Sequence, residues 1–172
     1  RPDFWVALIK KVRKLYDGHL TYAANWDNYQ NVTFWQELDY IGVDAYFPVC
    51  DLKTPQVETV RAGWEPWVAE LSNTAMATGK PILFTEFGYR SVDYSAAGHW
   101  NVADKQTDVN LDAQCNAYEG MFQALTAQDW FAGGFLWKWH ISGRRKGGPT
   151  DDRYTPQNKP VEQIIRKWYS IQ

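Results

Sequence analysis

Pro81-Ile82-Leu83-Phe84-Thr85-Glu86-Phe87-Gly88 reads as a strand that is apolar for most of its length and carries a carboxylate near its far end. Its surroundings decide what kind of sheet it belongs to. Upstream, residues 58–78 read as a long helix that Gly79-Lys80-Pro81 stops, with Pro66 expected to kink or split it. Downstream, a long loop over 90–106 precedes a helix at 107–127. Gly133-Gly134 then opens a strand over Phe135–Trp139, a Gly/Arg/Pro-rich loop covers 141–158, and a last helix spans 160–170. Towards the N-terminus, residues 3–16 carry a helical stripe of Trp5, Leu8, Ile9, Val12, Leu15 and Tyr16, ended by Asp17-Gly18. A strand over Leu20–Asn25 runs into the polar-aromatic loop Trp26-Asp27-Asn28. A short helix at 30–38 and a strand over Tyr40–Phe47, closed by Pro48, complete the chain.

Strands alternating with helices in this way predict an α/β fold built on a parallel sheet. Two architectures fit: an open doubly wound sheet, or part of a barrel. A dinucleotide-binding sheet carries G-x-G-x-x-G after its first strand, and the sequence has no such run. Instead, polar and aromatic residues gather at the C-terminal end of each strand: Asn25-Trp26, Asp44 and Tyr46, Glu86, and Trp137, Trp139 and His140. A (β/α)₈ TIM barrel keeps its active site at that end. The expectation is half of such a barrel, four strands with their helices, as one domain over residues 1–172.

Composition narrows the partners. The net charge of −2 leaves no basic footprint for nucleic acid. No apolar run reaches the ~20 residues that cross a bilayer as a helix. Ten Trp and ten Tyr in 172 residues fit a large aromatic core, and equally fit flat surfaces for sugar rings. Cys50 and Cys115 are far apart, belong to no close-spaced metal or redox motif, and are read as free thiols. The opening Arg1-Pro2-Asp3, with a helix starting almost at once, reads as an internal start, so the N-terminal half of the barrel is expected to lie outside this sequence.

From spacing alone, Glu86 fits a solvated or salt-bridged glutamate at a strand mouth as well as it fits a catalytic one. A retaining glycosidase needs one carboxylate as nucleophile and a second as acid/base, ~5–5.5 Å apart, and rigid strand ends suit that geometry. The residues themselves add a resemblance. Leu20–Trp26, Ile41–Phe47, Lys80–Tyr89 and Thr155–Pro160 are similar to the second half of glycoside hydrolase family 113, a barrel family of clan A made up mainly of bacterial β-1,4-mannanases. The most specific element is Pro-x-x-x-Thr-Glu-x-Gly-Tyr, at Pro81–Tyr89.

The resemblance implies that residues 20–25, 41–47, 82–88 and 134–140 are barrel strands five to eight. It implies that Glu86 is the nucleophile and that Tyr46 hydrogen-bonds and orients it; packing in the core is the other reading of Tyr46. Trp137 or Trp139, with Trp137 favoured, would form the aromatic floor under the reacting sugar, and alternation would send both to one face. Asn25, Trp26 and Asp44 stand where they could touch sugar hydroxyls, or serve the structure only. His99 and Trp100 lie in the loop after the Glu86 strand, where subsite walls arise. His140 is either a supporting donor or simply packed, and Arg144-Arg145-Lys146 reads as a solvated loop.

The family's acid/base glutamate ends strand four, ahead of the helix that resembles residues 3–16, and none of Asp27, Glu37, Asp44 or Glu65 matches it. The expected partners are therefore a β-linked oligo- or polysaccharide, together with the N-terminal half barrel or a second copy of the chain. The chemistry needs no metal or organic cofactor. A non-catalytic, self-associating half barrel, serving as a scaffold or carbohydrate-binding module, is the other reading. Exposed strand edges, and an inner face expected to include Phe84, predict association in either case.

Overall fold

The structure is a computed structural model that describes residues 1–98 and 108–170. Four strands form one parallel sheet: β1 (Ala23–Asn25), β2 (Ile41–Asp44), β3 (Ile82–Phe87) and β4 (Phe131–Leu136). Their order across the sheet, β1-β2-β3-β4, is their order along the chain. A doubly wound sheet reverses its strand order at a switch point. Steady progression in one direction is how a barrel wall is laid down.

Around the sheet stand α1 (Pro2–Arg13), α2 (Val57–Thr78), α3 (Leu111–Leu125) and α4 (Val161–Tyr169). Helix α2 packs on α3, and α3 on α4. The core lies between these helices and the outer face of the sheet. Trp64 of α2 stacks on Phe84 of β3, while Tyr118 and Phe122 of α3 meet Phe87 edge-on. Asn110 caps α3, its side-chain oxygen accepting from the Ala113 N–H at 2.9 Å.

Several boundaries differ from the sequence expectation. Helix α1 ends at Arg13, leaving Leu15 and Tyr16 exposed. The first strand is short because β2 begins only at Ile41. The Leu20 N–H is taken by the Asp39 carboxylate at 2.6 Å, which also receives Arg13 at 2.7 Å. These bonds, the backbone bond to Leu20 first, hold the Asp39 carboxyl below the usual carboxylate range. The segment read as a helix over 30–38 is two single 3₁₀ turns, Tyr29–Asn31 and Trp35–Glu37. They are tied together by the buried Trp35 indole, which donates to the Tyr29 carbonyl at 3.0 Å. Helix α2 runs unbroken through Pro66. That proline is exposed, so the carbonyl it deprives of a donor can take water.

The fourth strand starts four residues earlier than expected and ends at Leu136, so Trp137 and Trp139 lie beyond it. Gly133 and Gly134 are inside the strand and do not open it. Gly133, at φ +94°, is the extra residue where the β3–β4 register shifts, and a Cβ on Gly134 would stand 2.8 Å from the Phe84 Cβ. Gly134→Val is expected to destabilise the fold by about 1–3 kcal/mol, because strand β4 must move away from Phe84. Urea unfolding checks this, and an unchanged midpoint would mean that β4 is looser than its close approach implies.

Phe84 is also corrected. It is fully buried on the helix side, whereas the inner face was expected to hold it. The exposed large groups at β4 and just after it are Phe135, Trp137, Trp139 and Ile141. Cys50 and Cys115 are free thiols. Among the described residues no helix is long and apolar enough to cross a membrane.

Candidate active site

The aim of Glu86 depends on a bulge. Ile82 and Phe84 point into the helix layer, and strict alternation would send Glu86 after them. Against both neighbours, however, β3 carries one extra residue. Val43 pairs with Phe84 and Asp44 with Glu86, while Phe84 pairs with Gly134 and Phe87 with Leu136. The extra residue resets the alternation, so Phe87 returns to the helix face. Glu86 is released, half-buried, towards the C-terminal mouth of the sheet.

There the Tyr46 hydroxyl donates to Glu86 Oε2 at 2.8 Å. Tyr46 lies two residues past β2, and the strand pairing carries on just far enough to fix it. The Ala45 N–H bonds the Glu86 carbonyl at 2.7 Å, and the Tyr46 N–H turns back to the Asp44 carbonyl at 3.1 Å. Burial, and then the hydrogen bond to the Glu86 carboxylate, push the Tyr46 phenol well above its ordinary range. At any working pH it is therefore a neutral donor. The arrangement leaves the Glu86 carboxylate half open to solvent and fixed in direction by a hydrogen-bond donor, as a nucleophile requires.

Asp44 stands opposite Glu86 in the register, and its Oδ1 accepts from the Thr85 hydroxyl at 2.8 Å. Asn25, exposed at the end of β1, donates to Asp27 at 2.7 Å. Trp26 is half-buried and packs edge-on against Phe47 and Trp67. Trp137 and Trp139 are 42% and 52% exposed. Both lie past the end of β4 at Leu136, so simple strand alternation does not relate the two rings. The Trp137 N–H bonds the Phe87 carbonyl at 2.8 Å, and its ring lines an open cleft of about 690 Å³ shared with Arg90, His140, Asp152 and Tyr154. His99 and Trp100 lie outside the described residues.

Sequence reasoning missed Tyr154. Its ring meets Tyr46 edge-on at 6.1 Å, and it borders both this cleft and a smaller cavity beside Tyr46 and Tyr89. Arg90, bound to the Asp152 carboxylate at 2.9 Å, was missed as well. The one signal available was the neighbouring Thr155–Pro160 motif. Gln157 of that motif clamps the His140 backbone, accepting from its N–H at 2.7 Å and donating to its carbonyl at 3.0 Å.

Comparison with known proteins places this geometry. The model of Glycoside Hydrolase Family 113 matches residues 1–159. No curated protein sequence matches the chain. Among solved structures, the GH113 β-mannanase AaManA from Alicyclobacillus acidocaldarius, in complex with ManMIm, is 31% identical, with a TM-score of 0.79 over 98% of this chain and 50% of its own. A second GH113 β-1,4-mannanase, solved as a complex, is 27% identical, with a TM-score of 0.82 over 100% of this chain and 52% of its own. A β-glucuronidase from Faecalibacterium prausnitzii, 16% identical with a TM-score of 0.64 over 99% of this chain and 28% of its own, shares the fold. The chain thus spans about half the length of the mannanases it matches, and its four strands are half of a (β/α)₈ barrel. With most of its length matched by the family model, the chain belongs to Glycoside Hydrolase Family 113.

Proposed function

We propose that this chain supplies the nucleophile side of a retaining glycoside hydrolase acting on β-1,4-linked mannan-type polysaccharide. The observation that carries the reading is the Tyr46–Glu86 hydrogen bond at the strand mouth, 2.8 Å long, on the residues of the family motif. Glu86 attacks the anomeric carbon while the acid/base, as a carboxylic acid, gives its proton to the departing oxygen and is left as a carboxylate. The glycosyl-enzyme is then opened by water that the same acid/base deprotonates. Two inversions return the original configuration. Trp137 offers an apolar face to the sugar, and Asn25, Asp44, Trp26, Trp139, His99 and Trp100 are candidate contacts around it. Neither metal nor organic cofactor takes part.

The reaction needs its second carboxylate ~5–5.5 Å from Glu86. The reading takes that group from polypeptide completing the barrel beside β1 and β4, so that residues 1–172 act as one part of a catalytic domain. In support, Phe135 and Trp139 are more than half exposed. Following mannan cleavage by ¹H NMR, in any active form containing this chain, is expected to show the β-anomer of the new reducing end first. Initial release of the α-anomer would reject retention and with it the nucleophile role. Intact mass and sedimentation of the same sample are expected to show association with a companion polypeptide or a second copy. A folded monomer of 172 residues with no companion would overturn the association that the catalytic and the non-catalytic, self-associating readings both require.

A further inference from the structure

We propose that Lys159 is a positioning residue for the nucleophile, acting through Tyr154 and Tyr46. The inference rests on the reading of Glu86 given above and goes beyond it. Lys159 lies outside the sheet mouth, just ahead of α4, yet its side chain is 0% exposed. Its ammonium donates to the Asp151 carboxylate at 2.7 Å, the Ser91 hydroxyl at 2.8 Å and the Arg153 carbonyl at 2.9 Å. All three of its protons are used, and each partner belongs either to the segment following β3 or to the loop that carries Tyr154. The Ser91 hydroxyl passes its own proton to the Asp151 carbonyl at 2.6 Å, closing the knot.

Burying an ammonium is costly, and desolvation lowers the Lys159 pKa against the pull of Asp151. An apolar side chain of similar length would fill the space without that cost. What it could not do is select one path for residues 151–154. The buried charge fixes the Arg153 carbonyl, which also accepts from the Ser91 N–H at 3.4 Å. The next carbonyl, that of Tyr154, receives the buried Gln114 amide at 3.4 Å. Tyr154 is thus held by the backbone on both sides of its ring. Its ring lies edge-on to Tyr46, whose hydroxyl reaches Glu86. Three links connect a buried lysine to the attacking oxygen, and each depends on orientation more than on bulk.

The test is Lys159→Met in an active form containing this chain, read in two ways. A misplacement of about 1 Å at a reacting group costs on the order of 10²-fold. The expected result is therefore a kcat on mannan, per folded molecule, lower by roughly 10- to 100-fold, with KM within about twofold. In the same protein labelled with [¹³Cζ]tyrosine and assigned with Tyr46→Phe, the Tyr46 resonance is expected to move. Ser91→Ala and Tyr154→Leu repeat both readings if Lys159→Met does not fold. A purely structural role would lower the folded fraction while leaving specific kcat and the Tyr46 resonance unchanged, and that result overturns the proposal. If the unsubstituted protein does not cleave mannan, the function proposed above fails, while an unmoved or moved Tyr46 resonance still decides the positioning role.

Discussion

Glu86→Gln is expected to abolish turnover of β-1,4-mannan by any active form containing this chain while leaving the fold intact. The amide is nearly isosteric, and it can still accept the Tyr46 proton through its oxygen, so the contact at 2.8 Å survives in a weaker, uncharged form. What it cannot do is attack: a neutral amide forms no glycosyl ester, and both chemical steps pass through that ester. Residual activity is expected below roughly one percent of the parent rate, with thermal unfolding essentially unmoved. Initial-rate measurement on purified protein checks the first, and a melting curve the second. Activity well above that threshold would remove Glu86 from the role of nucleophile. Substrate binding should persist in the variant, since the sugar contacts are untouched.

Tyr46→Phe has the next largest effect, and of a different kind. The ring remains to pack against Tyr154, but the donor to Glu86 is gone. Without it the carboxylate loses direction, and with it a partner that takes up charge as the ester forms and breaks. Removing one such preorganised donor costs on the order of 10²-fold in kcat. KM should change little, because the hydroxyl is engaged with the Glu86 carboxylate. Steady-state kinetics separate the cases: an unchanged kcat with a raised KM would assign Tyr46 to substrate binding instead. The pH profile carries a second check. The Tyr46 phenol lies far above its ordinary range and stays protonated throughout the working range, so the substitution should remove no titration step near neutrality.

Much of this was legible before any coordinates. The apolar strand alone left the role of Glu86 open; the resemblance supplied Tyr46 as its partner, and the structure has Glu86 near the end of β3 with the Tyr46 hydroxyl bonded to it. The parallel sheet followed from the alternation of elements, and the choice of a barrel from the polar and aromatic residues at the strand ends. The misreadings have a common cause in side-chain contacts that local rules do not see. Gly133-Gly134 resembles punctuation, yet Gly134 is a glycine because Phe84 leaves no room for a side chain. Phe84 was assigned to the inner face, although Trp64 stacks on it from the helix layer. Tyr154 lies in the Gly/Arg/Pro-rich loop over 141–158 and Lys159 directly after it, where nothing local marks either residue. Their placement is set by Ser91 and Gln114, 68 and 40 residues upstream, and no short window along the chain contains both ends.

The extra residue in β3 also divides the chain into two languages. Up to Phe84, each alternate position answers to the helices, and a change there is registered as stability. From Glu86 onward the beat has slipped by one, and the position that would have been core faces the mouth of the sheet. The two vocabularies meet at Thr85, whose hydroxyl is held by Asp44. Side chains facing the mouth can therefore drift or be redesigned without renegotiating the helix layer. Straightening the bulge with Thr85 kept in the strand would do the reverse in a single step, turning the Glu86 carboxylate into the oily interior and the Phe87 ring out to the mouth.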